Sequence, residues 1–409
     1  MTQYSCRLCG EALKQTLVDL GETALANSYV KMGDGDKVDP VYPLHARVCG
    51  NCFLVQIGDS VLPHDIFSDY AYFSSYSSSW VEHAKLYASE AQAKLKLNEN
   101  SLVVEVASND GYLLQHFVAS NIPVLGVEPA ANIAVIAEEK GIRTQVDFFG
   151  EQIAHTIANT IGKADLTAAN NVLAHVPDMN DFVAGFAAIL KPEGVSTFEF
   201  PHLMNLVEHV QFDTIYHEHF SYLSLLAVEN CLNRHGMKVF DVEQLPTHGG
   251  SLRVWACLST ASHPETDGLI EIRQIEQARG LAKLSTYEGF TSRVEKVRTD
   301  LLAFIDKLKA DGKSIAAYGA AAKGNTLLNY CGISNQDINY VVDANPHKQN
   351  HLLPGSHIPI YGPDKIKETK PDYVLILPWN LKDEIAEQMQ FIRDWDGKFV
   401  VAIPEITIF

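Results

Sequence analysis

Between residues 101 and 201, continuous apolar runs alternate with helical stretches, and this alternation constrains the fold of the 409-residue chain more than any other feature. "SLVVEV" shows no polar alternation, so Leu102 to Val106 reads as a strand covered on both faces, as in a parallel sheet. "SNDG" then supplies a turn and "YLLQHFVAS" a helix. Next come "VLGVEPA", a strand ending in Glu128, and "NIAVIAEEKG", a helix. "ADLTAANNVLAHVPD" gives a strand and loop, "MNDFVAGFAAIL" a helix, "KPEG" a turn and "VSTFEFP" a strand. A helix over "SSWVEHAKLYASEAQAKLKL" precedes the series. Strands and helices in this order build an open α/β sheet.

A later segment repeats the scheme. Phe290, Val294, Val297, Leu301, Ile305 and Leu308 recur at intervals of three and four, which predicts one long amphipathic helix. "SIAAYGAAAKGNTLLNY" then reads as strand, small-residue turn and helix. "INYVVDANPHKQN" gives a strand ending at Asp343, and "PDYVLILPWN" a further buried strand. The repetition is of pattern rather than residue identity, and it predicts two α/β units with a cleft between them, where ligands bind.

The N-terminal stretch differs. Cys6 and Cys9 in "CRLCG", with Cys49 and Cys52 in "CGNC", form two Cys-x-x-Cys pairs. Each pair turns tightly enough to present two thiolates to one ion, and two pairs complete a tetrahedron around zinc. With four cysteine ligands the shell is closed, so a structural ion is expected, holding a unit too small to fold on its own core. Cys231, Cys257 and Cys331 read as apolar fillers.

Composition narrows the function. A chain this long predicts two or three domains, and 50 acids against 32 bases give a formal charge of −18. This speaks against a broad nucleic-acid surface while leaving room for a local basic pocket. There is no apolar run of membrane-spanning length and the start resembles no signal peptide, so a cytoplasmic enzyme without membrane partners is the expectation.

In a doubly wound sheet, ligands bind beyond the carboxyl ends of the strands, where "EVASNDG" lies. Glu105 ends the first strand, while Ala107 and Gly111 keep bulk out of the turn. Glu128, seventeen residues after Gly111, ends the next strand, where a carboxylate can accept both hydroxyls of a ribose. The turn lacks the G-x-G-x-x-G that cradles a pyrophosphate, so a nucleoside without phosphates, such as S-adenosylmethionine, suits it better than a dinucleotide.

"QFDTIYHEHFSYLS" gathers a phenol, two imidazoles and a carboxylate within residues 216 to 219. Here the chain resembles the sugar C-methyltransferases that act on nucleotide-linked keto-deoxysugars, among them the tetronitrose C-3 methyltransferase. The motifs that carry the resemblance span nearly the whole chain, including "YAYFSSYSSS", "VVEVASNDGYLL", "GVEPAANIA", "DFF", "LAHVPD", "FDTIYHEHFSYLS", "LPTHGGSLRVW", "YGAAAKGNTLLNYCGI" and "DANPHKQNHLLPGSHIPI". The resemblance implies a Rossmann-like class I methyltransferase domain at 77–210. A four-cysteine zinc domain precedes it at 1–76, and a Rossmann-like α/β domain carrying the catalytic motif near its start follows at 211–409.

It also implies residue roles. The family's Tyr-x-Glu-His motif falls on Tyr216, Glu218 and His219, with His219 as general base; its histidine after the fourth strand falls on His175, and its tyrosine closing the zinc domain on Tyr72. His217 receives no role. The implied contacts to S-adenosylmethionine are Glu105, Ala107, Asn109, Gly111 and Tyr112 in the first strand and turn, then Glu128 and Pro129. Asp147, Phe148, Asn170 and Asn171 complete them. The implied substrate is a nucleotide-diphosphate 4-keto-6-deoxyhexose, linked to dTDP or GDP and methylated at C-3. Carbon becomes nucleophilic there by losing the proton beside the ketone, which asks for a base with a pKa near 7 and for donors facing the developing oxyanion. Tyr216, Tyr72 and His175 are candidate donors, and Glu218 either orients His219 or handles a sugar hydroxyl.

Weaker signals point to the substrate. His248, Gly250 and Arg253 in "THGGSLRVW" offer close backbone approach and a cation for phosphate, against a plain hairpin with a surface arginine. Lys323 and Asn325 near a helix start, and more weakly Asn380, are further candidates for sugar or phosphate. Two alternatives stand beside this reading: an NAD-dependent oxidoreductase acting on a nucleotide sugar, and a non-enzymatic zinc-ribbon interaction protein. Either a monomer or a small homo-oligomer is compatible with the sequence.

Overall fold

Three large sheets follow one another, beside a two-stranded one of Val30–Lys31 and His351–Leu352, in a computed structural model that describes residues 4–59, 61, 74–76 and 78–409. Tyr72 lies outside the described residues. The first sheet is antiparallel, in the order Gln15–Ala24, Val41–Val48, Val55–Gln56 and Ser221–Tyr222. Register shifts interrupt the pleat of Gln15–Ala24 between Thr16 and Val18 and again between Asp19 and Glu22. The neighbours Leu17 and Val18 are therefore both buried, where a regular strand would turn one outward. The fourth strand comes from the segment that carries "YHEH", more than 160 residues downstream of its partner.

The second sheet has seven strands. Five of them, Val103–Val106, Val124–Val127, Thr144–Gln145, Ala164–Asn170 and Leu190–Pro201, run parallel in the spatial order 3-2-1-4-5. Ser251–Leu258 and then Met237–Leu245 add to the edge beyond the fifth, each antiparallel to its neighbour. Residues 237–258, expected in the third region, thus pair into the central sheet. "KPEG" also differs from expectation. Rather than ending an element, it lies inside Leu190–Pro201, where Leu190 pairs with Ala164 and Val195 with Leu166. The four residues between form a bulge.

The third sheet repeats the 3-2-1-4-5 order with Ile315–Tyr318, Val341–Val342, Ile360–Tyr361, Tyr373–Ile376 and Lys398–Val401, and adds the antiparallel Thr407–Ile408. The pattern repeat seen in the sequence is thus a repeat of topology. Helix Phe290–Ala310 buries all six apolar positions predicted for its face. These share one core with Leu17, Leu20, Leu44 and Val48 of the first sheet and Leu375 and Val400 of the third. That shared core welds the N-terminal and C-terminal units together; at roughly 25 cal/mol per Å² of apolar surface it outweighs any ion pair between them. Among the described residues, no helix is long and apolar enough to cross a membrane.

Candidate active site

The three units converge on residues 211–219. Phe212–Thr214 forms a single 3-10 turn, and the carbonyl oxygen of Thr214 accepts Nδ1–H of His219 at 3.0 Å. The Tyr216 ring lies 4.0 Å from the His219 ring, and the His175 ring meets it edge-on at 4.7 Å. His175 arrives from the turn Leu173–His175 that follows the fourth parallel strand of the central sheet. Burial pushes His219 well below the ordinary histidine range; His175, His248 and Lys323 push the same way, and only the Thr214 carbonyl opposes. Burial likewise lowers His175 and His248 to about 4. His219 and His175 are therefore two neutral imidazoles in contact, with a third, His248, near enough to act on both electrostatically.

The other members of "YHEH" diverge. Glu218 is buried, and its Oε1 accepts Nδ2–H of Asn27 from the N-terminal unit at 2.6 Å. Burial raises it to about 7, although Asn27 and Lys348 pull the other way. His217 is structural: its Nε2 faces the carbonyls of Tyr42 and Pro43 at 3.2 and 3.3 Å, beside the Tyr42 ring.

Asp213 escaped the sequence reading, which passed over the acid between Phe212 and Ile215. It is fully buried; Trp379 Nε1–H donates to its Oδ2 at 2.7 Å, and its Oδ1 has no partner. Burial raises it to about 6, with Lys323 opposing. Lys323 opens helix Ala322–Cys331, donates to Oδ1 of Asn380 at 2.7 Å and lies 4.8 Å over the Trp379 ring. Burial lowers its pKa and Asp213 raises it. Asn325 is buried and donates Nδ2–H to the Ala26 carbonyl, tying the N-terminal unit to this helix, while its Oδ1 has no partner.

The hairpin residues correct the reading based on free access. A methyl at Gly249 would lie 2.4 Å from the Trp379 ring and one at Gly250 2.2 Å from Asn205 Nδ2, so both glycines admit protein atoms rather than a ligand. His248, between the hairpin strands, meets the Trp80 ring edge-on at 5.5 Å and acts electrostatically on His175 and His219. Arg253 is neither at the surface nor free for phosphate. It pairs with Glu199 at 2.9 Å and Glu243 at 3.1 Å. Glu199, missed from sequence and wholly buried, also meets His83 Nε2 at 2.9 Å and accepts the Thr247 hydroxyl at 3.1 Å. It joins helix Ser78–Leu95 to the hairpin.

The cofactor crevice lies at the carboxyl edge of the central sheet. Ala107, Asn109 and Gly111 take φ of 54°, 48° and 78°, curling the backbone into a concave turn. A methyl at Gly111 would lie 2.3 Å from Ile142 Cδ1. Glu128 clamps this turn by accepting from Asn109 N at 3.0 Å and Ala130 N at 2.9 Å; each oxygen keeps a second lone pair for a ribose hydroxyl. Asn109 Oδ1 in turn accepts from Ser74 N at 2.9 Å, which seats residues 74–76 on the turn. Glu105 is 1% exposed, is bonded by Tyr112, and is held well above the carboxylate range by burial and then by Glu128. Its Oε2 is left without a partner, as are Asn170 Oδ1 and both amide atoms of Asn171. An orphaned buried carboxyl group, with amide donors and acceptors that also lack partners, fits a nucleoside carrying a sulfonium and an ammonium-bearing amino-acid tail, as S-adenosylmethionine does. Pro129 is half-buried next to Glu128, Asp147 accepts from Gln145, and Phe148 is 48% exposed at the rim. In the third unit the equivalent acid, Asp343, is taken up by Ala320 N and Asn345 N at 2.8 Å each, and Tyr29 donates to the Ala320 carbonyl.

Cys6, Cys9, Cys49 and Cys52 bring their sulfurs within 4.8 Å of one another. The pairs Cys6–Cys52 and Cys9–Cys49 are 3.5 Å apart, far beyond a disulfide. They are near the edge of roughly 3.8 Å that a tetrahedron with Zn–S bonds of ~2.3 Å requires. Gln56 Nε2–H and Asn51 N–H donate to Cys6 and Cys49 sulfurs at 3.1 and 3.4 Å, as in an outer ligand shell. The four thiols therefore fit zinc, and among the described residues they are the one such cluster of three or more potential ligands.

A parallel 3-2-1-4-5 sheet, closed by an inserted antiparallel strand and bearing acids at its first two strand ends above a curled turn, defines a class I S-adenosylmethionine-dependent methyltransferase. Comparison with known proteins agrees. A C-methyltransferase C-terminal domain model matches residues 246–404, a methyltransferase domain model 80–242 and a zinc binding domain model 6–67. C-methyltransferase NovU of Streptomyces niveus is 35% identical over 400 residues, covering 98% of this chain and 95% of that protein. The chain belongs to the C-methyltransferase family, with S-adenosylmethionine as methyl donor and a zinc-binding N-terminal unit. Among solved structures, magnesium protoporphyrin IX methyltransferase of Synechocystis PCC 6803 with bound S-adenosylmethionine is 14% identical, covering 44% of this chain and 77% of that one, at a TM-score of 0.32. An S-adenosylmethionine-dependent methyltransferase from Clostridium acetobutylicum is 12% identical, covering 44% and 92%, at 0.35.

Proposed function

We infer that this enzyme methylates C-3 of a nucleotide-linked 4-keto-6-deoxyhexose, carried by dTDP or GDP, through an enolate generated by His219. The observation that carries this reading is the neutral imidazole of His219, fixed by Thr214 and flanked by a phenol and a second imidazole where all three units meet. S-adenosylmethionine supplies an electrophilic methyl group when bound. The remaining demands fall on the protein. His219 Nε2 accepts the C-3 proton: burial holds the ring below the pKa near 7 expected of the base, so its base form persists across the physiological range while its basicity rises only as the enolate's negative charge develops beside it. Tyr216 and His175, whose rings pack on His219, are the proposed donors to the ketone oxygen, together with Tyr72. Glu218, half ionised near neutrality, handles a sugar hydroxyl proton rather than orienting His219, whose Nδ1 is already taken by Thr214.

The test is methyl transfer from isotopically labelled S-adenosylmethionine across a panel of nucleotide 4-keto-6-deoxyhexoses, with the product's carbon skeleton assigned by NMR. A new C–CH₃ at C-3 is expected. Labelled methyl on oxygen, or none on any keto-sugar from a folded enzyme, would sink the reading.

A further inference from the structure

We propose that Lys323 is a catalytic residue whose ammonium carries the counter-charge of the enolate, rather than an anchor for the sugar-nucleotide phosphates. The inference rests on the enolate reading above. Removing the C-3 proton breaks the C–H bond and sends its electron pair into a C3–C4 double bond, with negative charge on the former ketone oxygen. The proton goes to His219 Nε2. When the new C–C bond forms, the methyl–sulfur bond breaks and its pair returns to sulfur. Between these events the positive charge gained by His219 lies on the C-3 side, while the imidazoles left neutral, His175 and His248, can offer the oxygen on C-4 only dipoles. A preorganised cation in a water-poor site is worth far more there than in solvent.

The geometry places Lys323 for this task. Thr326, one turn along the same helix, donates to the Ile215 carbonyl at 3.0 Å, so this helix face packs on the residue preceding Tyr216. Asn380 and the Trp379 ring fix the ammonium, and Trp379 is held in turn by Asp213, two residues before the Ile215 carbonyl. Gly249, adjacent to His248, packs on the same indole ring. Lys323 is therefore at the level of the imidazoles, on a pedestal of its own. Its charge acts on both His219 and His248, and among the groups that act on His219 it is the one ammonium. Asp213, with one oxygen engaged and one without a partner, balances that charge in the resting enzyme. Asp213 was not visible as part of the site from sequence, and without it a buried lysine here would be hard to keep ionised.

The experiment separates proton removal from methyl transfer. With S-adenosylhomocysteine in place of the methyl donor, exchange of the C-3 hydrogen for deuterium from D₂O is followed by NMR. Wild-type enzyme is expected to exchange it. Lys323→Met should slow exchange and kcat by about 10²-fold or more, with the KM for the nucleotide sugar changing less than about threefold; Lys323→Arg should recover part of the loss. Because Lys323→Met strands Asp213, the charge-balanced K323M/D213N pair is measured alongside; it should fold and still fail to exchange. Unimpaired exchange in either folded variant overturns the inference alone. So does a tenfold rise in KM at unchanged kcat, the signature of a phosphate anchor. Absence of exchange in the wild type removes the His219 enolate reading itself, and this inference with it.

Discussion

The carbonyl oxygen of Thr214 stands 3.0 Å from Nδ1 of His219, five residues on, and a carbonyl can only accept. The proton of the neutral ring is therefore on Nδ1, and the lone pair is on Nε2. Among the described residues, Nε2 makes no hydrogen bond, so the base nitrogen is kept open by the motif's own backbone.

His219→Asn should lower kcat by roughly 10²–10⁴-fold or more, while the Kd for S-adenosylmethionine, measured by calorimetry, stays within about twofold. The crevice residues and His219 are on different elements, which is why the two readouts separate. In the wild type, burial holds His219 well below its ordinary pKa, so the base form persists as pH falls. With Glu218→Gln removing the group that titrates near 7, the acid limb of kcat/KM should therefore lie below pH 6.5; a limb at or above that value in this variant would contradict a buried neutral base.

Asn27→Asp tests the grip on Glu218. The native amide donates to Glu218 and holds its pKa down against burial, leaving it near 7. Replacing that donor with a carboxylate removes the hydrogen bond and adds like charge, and both raise the Glu218 pKa further. The kcat profile should shift to the alkaline side, with Asn27→Ala shifting it less. A profile identical to wild type in both variants would show that the contact carries no function.

These contacts also mark how far sequence could reach. Leu102–Val106, the helix bearing Phe290 to Leu308 and the four cysteines were readable because each signal is local: an unbroken apolar run, a 3.6-residue period, a fixed ligand spacing. The pairing of Val55–Gln56 with Ser221–Tyr222 left no trace, since a two-residue strand has no period and its partner is far along the chain. Arg253 misled for a related reason. Its partners Glu199 and His83 come from other elements, so a buried ionic hub reads in sequence as a lone cation. Asp213 stayed hidden until Trp379 and Lys323 could be seen beside it.

Zinc removal should silence methyl transfer while sparing cofactor binding. The N-terminal unit touches the chemistry at several points: Val55–Gln56 pairs with the strand that begins two residues after His219, Asn27 donates to Glu218, and Arg7 donates to the Pro177 carbonyl at 2.8 Å, just past His175. None of these contacts reaches Glu105 or Glu128. Cys9→Ser, or chelation of the wild type, should lower zinc below one ion per chain and depress Tm. It should also abolish turnover while leaving the Kd for S-adenosylmethionine within a few-fold. Equal loss of both would mean that the zinc unit supports the whole molecule.

Gly111→Ala tests the cofactor turn. At φ 78° a non-glycine residue costs about 1–2 kcal/mol, and the added methyl would press on the buried end of Ile142. A lower Tm and at least a tenfold weaker Kd for S-adenosylmethionine are expected; wild-type affinity would show that the curl at 107–111 does not shape the crevice.

Because the fourth strand of the first sheet is Ser221–Tyr222, the order of synthesis matters. A ribosome that has made the cysteine unit must still deliver more than 160 residues before Val55–Gln56 finds its neighbour. Contacts so distant along the chain close late. The central sheet's five parallel strands are all emitted by then, so a crevice for the methyl donor can form in the nascent chain before His219 has been locked beside it. A truncated product would hold the donor with no base to use it.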